Sequence, residues 1–433
     1  MQLRAVPAAP IQALVGLSSG HSNHGMDSDA SRAQAEPTLA DLVAAVASER
    51  DCVAFGKLFV HFAPRIKAYF KCLGVADHKA EDMVQEVMLT VWRRAGLYDA
   101  AQASVGTWIF TIARNKRIDD VRRERRPQID LDDPMLVRAP EPAADEAWSR
   151  RQAERRLRRA VAALPDEPAL VLRKNFFEDK SHGVIAEELK LPLDGQVAGA
   201  AGSGKAAPSV AGSRLMAVPT HHPSGELLLE YACGAQREPV ALLIATHLAL
   251  CPPCRSECRD LEAIGGALLE EIGPDPVPEG SFARLLARLD APRDPVAPAP
   301  RAQPDAPAPL PEPLRGYVGG SLDRLSWRRL GPIAEARLLP RSAGFTTRLV
   351  RLRAGAAAPR HTHGGSELTL VVEGGFTDPA GHYLRGDVAH AGGDVDHRPV
   401  ADTDGDCLCL VVTDAPLRLT GRIGRLFNFL MWH

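Results

Sequence analysis

Ala80-Glu-Asp-Met-Val-Gln-Glu-Val-Met-Leu-Thr-Val-Trp92, followed by Gly106-Thr-Trp-Ile-Phe-Thr-Ile-Ala-Arg-Asn-Lys-Arg-Ile-Asp-Asp120, decides how the first part of this chain folds. Met83, Val84, Val87, Met88, Val91 and Trp92 recur with the period of an amphipathic helix. Upstream, Phe55, Leu58, Phe59, Phe62 and Ile66 keep the i, i+3, i+4, i+7, i+11 spacing of a second helix. A third is expected from about Val105 to Arg123, so residues 38–127 read as an all-α module. The net charge of −2 hides strong local asymmetry, because Arg114, Lys116, Arg117, Arg122 and Arg123 crowd into one stretch while acids dominate elsewhere. Partners must therefore be argued segment by segment.

These two quoted stretches together resemble region 2 of extracytoplasmic-function sigma factors. The resemblance implies that the helix bearing Glu81, Asp82, Gln85 and Glu86 docks on RNA polymerase core. It implies that the helix carrying Trp108, Arg114, Lys116, Arg117, Arg122 and Arg123 opens and reads promoter DNA. The chemistry agrees: clustered cations neutralise phosphates, and an indole can hold an unstacked base.

Beyond this module, residues 128–147 are acidic and proline-bearing, a linker composition. Residues 148–193 return to helical character, and Phe176-Phe-Glu-Asp-Lys-Ser-His-Gly-Val-Ile-Ala-Glu-Glu-Leu189 resembles the first half of the helix-turn-helix of sigma region 4, with Ser181 as its N-cap. A basic recognition helix belongs next. Instead the chain runs through Asp194-Gly-Gln-Val-Ala-Gly-Ala-Ala-Gly-Ser-Gly-Lys-Ala-Ala, and Gly costs about 1 kcal/mol against Ala inside a helix. Codons exist for this tract whose one-nucleotide shift reads Thr-Val-Lys-Ser-Arg-Ala-Leu-Arg-Ala-Arg-Ala-Arg-Leu-Arg, a basic helix. The expectation is a truncated region 4 over 148–193, then a Gly/Ala linker over 194–215 that is the scar of a frameshift joining two genes, with Met216 the start of the second. Residues 1–37 read as a disordered leader, with Met26 an alternative start.

The second half opens on metal-ligand chemistry. Cys251, Cys254 and Cys258 cluster beside His247, and His247-x3-Cys251-x2-Cys254 sets three ligands at helical steps around one ion. A tetrahedral site needs a fourth, with His222, His221 and Cys258 as candidates. Thiolate with imidazole favours Zn2+ over hard cations. Residues 216–290 resemble the zinc-binding anti-sigma domain of ChrR-type regulators, and this resemblance selects His222. It also implies a domain that clamps sigma regions and hides their polymerase-binding face.

Residues 291–314, dense in Pro and Ala, read as an extended spacer. From 315 to 433, short Val, Leu and Thr-rich runs between Gly and Pro signal an all-β domain. Gly355-x5-His361-x-His363-x3-Glu367-x6-Gly374 fits the first cupin motif. His361 and His363 share a strand face and Glu367 follows on the same parity, approaching a facial metal triad. His397 is the expected fourth ligand of Zn2+ or another divalent metal, with His390 and His382 as alternatives.

The fold class expected is thus multidomain α + β: an all-α sigma region 2, a partial helix-turn-helix region 4, an α-helical zinc anti-sigma domain and an all-β cupin barrel. No apolar run approaches the roughly 18 residues of a membrane span, and no signal pattern opens the chain, which points to the cytoplasm without membrane contact. The function expected is non-enzymatic: a transcription-initiation sigma factor held by its anti-sigma factor through an intramolecular contact. ChrR-type resemblance adds an oxidative or singlet-oxygen stress response. The competing expectation is a metal-dependent, dioxygenase-like cupin enzyme with a vestigial sigma half, but no acid, base or nucleophile is tied to the metal by the sequence.

Overall fold

The first described helix starts on a capping box. Thr38 Oγ1 accepts from the Asp41 amide at 3.2 Å, and Asp41 Oδ2 accepts from the Thr38 amide at 2.9 Å, starting helix α1 (Leu39–Glu49). Asp51 caps α2 (Cys52–Cys72) in the same manner, accepting from the amides of Val53 and Ala54. Helices α3 (Asp77–Arg94) and α4 (Val105–Arg123) follow. Phe55, Phe62, Ile66, Phe70, Val87, Met88, Ile109 and Phe110, all fully or nearly fully buried, fill the space among them.

In this computed structural model, residues 36–123, 218–289, 310–319, 321–342 and 344–420 are described, with isolated positions between 156 and 189. Residues 1–35, most of the expected region 4 and the Gly/Ala tract 194–215 lie outside them. From Thr38 onward the chain forms one contact unit.

Four helices make the second helical module: α5 (Gly225–Cys233), α6 (Glu238–Leu250), α7 (Pro252–Glu271) and α8 (Ser281–Leu289). Ser224 caps α5 and Gly234 ends it at φ 75°, where a side chain would be strained. Cys251 stands between α6 and α7 in an extended conformation, φ −114° and ψ 100°. The reason is Pro252, whose ring disfavours helical geometry in the residue before it while suiting the first turn of the next helix. The sequence reading set His247, Cys251 and Cys254 on helical steps; the structure corrects this to a corner between two helices.

The β domain has a six-stranded sheet, a three-stranded sheet and a two-stranded sheet. The six-stranded sheet runs β1 (Arg328–Leu330), β2 (Ile333–Ser342), β3 (Phe345–Leu352), β10 (Cys407–Thr413), β5 (Glu367–Glu373), β8 (Val388–Ala391), antiparallel throughout. Strands β4 (His361–His363) and β11 (Leu417–Leu419) pair separately, as do β6 (Gly375–Asp378), β7 (Gly381–Leu384) and β9 (Val400–Ala401). The period of two explains why β5 and β10 are buried along both faces. Val371, Cys407, Cys409 and Val411 face one apolar cluster, inside the β domain. Leu368, Leu370, Val372, Leu408, Leu410 and Val412 join Leu242, Leu243 and Leu248 of α6 in another.

The sheet therefore shares a core with the second helical module. Leu314, Tyr317 and Val318 complete it, and the Tyr317 hydroxyl donates to Glu238 Oε1 at 3.1 Å. The end of the expected spacer is thus ordered: Glu312–Arg315 is a short helix, α9, against α6, because Leu310, Leu314 and Tyr317 give it an apolar face to bury.

Candidate functional site

Two ligand clusters, the first with His222 exposed and its other three members buried and the second buried throughout, and one helix-to-helix interface carry the chemistry. In the first cluster His222, His247, Cys251 and Cys254 bring one ligand atom each within 4.8 Å of one another. The His222 Nδ1 atom is 3.4 Å from Cys251 Sγ and 3.3 Å from Cys254 Sγ. A tetrahedral zinc with bonds of roughly 2.0 to 2.3 Å sets its ligands about 3.3 to 3.8 Å apart, so the spacing fits. His247 is fully buried, and its Nε2 has no hydrogen-bond partner among the described residues. A hydrogen bond from Cys254 pulls the Cys251 thiol down to about 4, while the same bond and burial hold Cys254 well above the usual thiol range. A divalent cation between them would take both as thiolates.

The competing ligands are elsewhere. His221 lies against Tyr383, with its Nδ1 3.4 Å from Asp387 Oδ2, and Cys258 is buried farther along α7.

The second cluster joins His361, His363, Glu367 and His397, again within 4.8 Å. His361 and His363 sit on β4, Glu367 opens β5, and a bridge between His361 and His397 brings in the fourth. His397 Nε2 is 3.0 Å from His363 Nε2 and 3.2 Å from His361 Nε2, so three lone-pair positions converge. Burial depresses the basicity of His361 and takes His363 down to about 4, which keeps both rings neutral and able to ligate.

The opposite ring nitrogens of His361 and His397 are committed. His361 Nδ1 donates to the Pro359 carbonyl at 2.7 Å, and His397 Nδ1 is 2.9 Å from Asp378 Oδ2. Asp378 is itself pinned, its Oδ1 accepting from the amides of Ala380 and Gly381. Sequence reasoning did not find Asp378; its signal was an Asp at a tight hairpin, which reads as turn chemistry. His390 bonds Ser366 and His382 bonds Asp402, outside the cluster. The motif glycines serve the backbone: Gly374 has φ 71°, and a side chain there would strike the Asp406 carbonyl.

The interface runs along α4 and α7. Gly265 and Gly266 let α7 approach α4 so closely that a Cβ at Gly265 would overlap the Phe110 ring, and one at Gly266 the Thr107 backbone. Ala267, Leu268 and Leu269 enter the core of the first module. Farther along, Arg114 is fully buried, its Nη1 2.9 Å from Glu262 Oε1 and its guanidinium 5.2 Å from the Tyr231 ring centre. The Tyr69 hydroxyl donates to the Cys233 carbonyl at 3.1 Å.

After α7 the chain crosses α2 and α3. The Asp275 amide donates to the Pro64 carbonyl at 3.0 Å, and Lys67 is 2.8 Å from Glu81 and donates to the Pro276 carbonyl at 3.0 Å. Phe282 packs on Phe59 and Phe55, Gln85 Nε2 donates to the Ser281 carbonyl at 2.9 Å, and Arg288 pairs with Glu86.

Of the expected polymerase-contacting residues, Gln85 and Glu86 are thus covered from the second module, Glu81 is paired with Lys67, and Asp82 stays exposed. The expected DNA-reading set is split. Lys116 lies 3.4 Å from Glu86, Arg117 3.7 Å from Asp120, and Trp108 rests against Tyr98, whereas Arg114 is turned into the interface. The side chains of Arg122 and Arg123 lie outside the described ones. Sequence reasoning placed Arg114 among the DNA-reading cations; Glu262 and Tyr231, far away in the chain, are what draw it inward.

A four-helix module gripped by a helical module with a thiol–imidazole cluster, itself built onto a sandwich with a cupin cluster, defines a sigma factor joined to an anti-sigma factor. The Sigma-70 region 2 family matches residues 58–127 and the ChrR Cupin-like domain family matches 318–416. The chain is 43% identical over 206 residues to the anti-sigma-E factor ChrR of Cereibacter sphaeroides, covering 48% of this chain and 95% of that protein. It is 41% identical over 152 residues to the ECF RNA polymerase sigma factor RpoE of the same organism, covering 35% of this chain and 83% of that protein. A crystal structure of Rhodobacter sphaeroides SigE in complex with the anti-sigma ChrR shares 41% identity over 45% of this chain and 98% of its own, with a TM-score of 0.38. This chain belongs to both families: it is an ECF sigma factor fused to a ChrR-type anti-sigma factor.

Proposed function

We propose that the fusion is a transcription regulator whose sigma half is silenced in cis. The observation that carries this reading is the path of residues 272–289 over α2 and α3, which engages Gln85 and Glu86, while α7 buries Arg114. Core polymerase and promoter DNA would need these same groups. Both halves share one chain, so the inhibitor acts at an effective concentration of millimolar order if the linker spans the sites, and closure dominates.

Zn2+ is the ion proposed for His222, His247, Cys251 and Cys254, because the two sulfurs and two imidazoles suit it and their spacing matches tetrahedral bonding. Bound there, it would fix the corner between α6 and α7 to the segment before α5. The cupin cluster His361, His363, Glu367 and His397 takes Zn2+ or another divalent ion and serves as the sensing end of a cytoplasmic, oxidative-stress response rather than as a catalyst. No helix among the described residues is long and apolar enough to cross a membrane. Loss of half the promoter-reading helix-turn-helix leaves upstream promoter opening as the recognition retained.

Titration of labelled polymerase core with the full chain tests the reading. Phe282→Asp places a charge between Phe55 and Phe59 and is expected to tighten core binding at least tenfold over the unaltered chain. Equal, tight binding by both chains would overturn it.

A further inference from the structure

The zinc-competent cluster does not close within the helical module. His247 Nδ1 lies 2.7 Å from the carbonyl oxygen of Gly386, in the turn between β7 and β8. A carbonyl only accepts, so the ring proton sits on Nδ1 and the Nε2 lone pair faces Cys251, Cys254 and His222.

The neighbouring Asp387, almost wholly buried, holds the segment that presents His222. Its Oδ1 accepts from the amides of Thr220 at 2.6 Å and His221 at 2.9 Å, and the Val388 amide donates to the His221 carbonyl at 3.1 Å. Gly386 has φ 94°, and an added Cβ would lie 2.6 Å from Pro219 Cγ and 3.4 Å from Leu250 Cβ, so the close approach requires glycine. The turn belongs to the sandwich: Gly386 donates to the Val371 carbonyl at 2.8 Å and Val371 to the Asp387 carbonyl at 3.0 Å, on the strand that begins with Glu367.

We propose that the Gly386–Asp387 turn of the β domain is the outer shell of the His222/His247/Cys251/Cys254 centre, orienting two of its ligands so that the cupin domain sets the metal affinity of the anti-sigma domain. This rests on the metal reading above. Partners that orient ligating histidines are worth about 10- to 100-fold in metal affinity. Gly386 and Asp387 act through His247 and His222 and are positioning residues.

The test is a cobalt titration of the full metal-free chain, followed by the thiolate-to-cobalt charge-transfer band, which reports the cysteine-bearing centre and not the His/Glu cluster. Gly386→Ala and Asp387→Ala are expected to weaken cobalt binding about 10- to 100-fold. Asp387→Asn, which keeps an oxygen for the Thr220 and His221 amides but sets its NH2 against the Leu384 amide that Oδ2 now accepts from at 2.8 Å, is expected to weaken binding less than Asp387→Ala. Circular dichroism and retention of the second metal check that the sandwich is intact. A parent chain without a charge-transfer band would overturn the metal reading itself. A normal band with both alanine variants binding as tightly as the parent would overturn this proposal alone, as would Asp387→Asn weakening binding as much as Asp387→Ala.

Discussion

Removing the Glu262 carboxylate should open the clamp. In the closed chain Arg114 is fully buried, with Glu262 Oε1 2.9 Å from its Nη1 and Asn115 Oδ1 accepting from its Nε and Nη2. Glu262→Ala takes this carboxylate from beside a guanidinium in a site closed to water, a change that costs about 3 to 5 kcal/mol when one partner of a buried pair is removed. The cost falls on the closed state, since in the open state Arg114 meets solvent. At about 1.4 kcal/mol per decade, the closed-to-open ratio falls by roughly two to nearly four orders of magnitude.

Apparent affinity for polymerase core is the intrinsic affinity scaled by the open fraction. Anisotropy of labelled core titrated with full-length Glu262→Ala should therefore show binding tightened by about 100-fold or more, up to the point where the open state dominates. Adding Arg114→Met removes the buried charge and should recover part of the closure, so the two changes should be non-additive. Core binding unchanged within twofold in Glu262→Ala would show that this pair does not hold the halves together.

Glycine contacts give a graded test on the same assay. Gly266→Ala drives a methyl into the Thr107 backbone and should cost about 1 to 3 kcal/mol of closure, whereas Gly106→Ala meets the Glu270 side chain, which can swing aside, and should cost less. Equal effects would contradict the backbone-on-backbone crossing. Cys251→Ser combined with Cys254→Ser should remove one zinc per chain by elemental analysis and unfold the helices over 218–289, because structural zinc supplies much of a small domain's folding energy. Unchanged stoichiometry would refute the ligand assignment. Asp378→Ala frees the His397 ring and should weaken metal at the second cluster about 10- to 100-fold with little change at the first, read by competition with a chelator.

The sequence showed those features whose determinants are local. Periodicity and the basic run outlined α3 and α4, and motif spacing, with the ChrR-type resemblance for His222, named the eight residues that the fold gathers into two clusters. It misjudged the geometry at Cys251, where Pro252 turns a supposed helical face into a corner. What stayed hidden depends on approach between distant segments. Gly265 and Gly266 look like mild helix weakening until α4 is laid against them, and Gly386 is an ordinary turn residue until His247 reaches its carbonyl. Arg114 illustrates the same limit: its charge is legible, but its burial depends on a carboxylate and a phenol ring from the other half.

Silencing in cis is tested most directly by titrating polymerase core with the full-length, zinc-loaded chain, before and after the metal is withdrawn by a thiol-compatible chelator. The loaded chain should bind core weakly, with binding independent of its own concentration history as expected for an intramolecular lock, and withdrawal should convert it to tight binding. Tight binding by the loaded chain, unaltered on chelation, would contradict it.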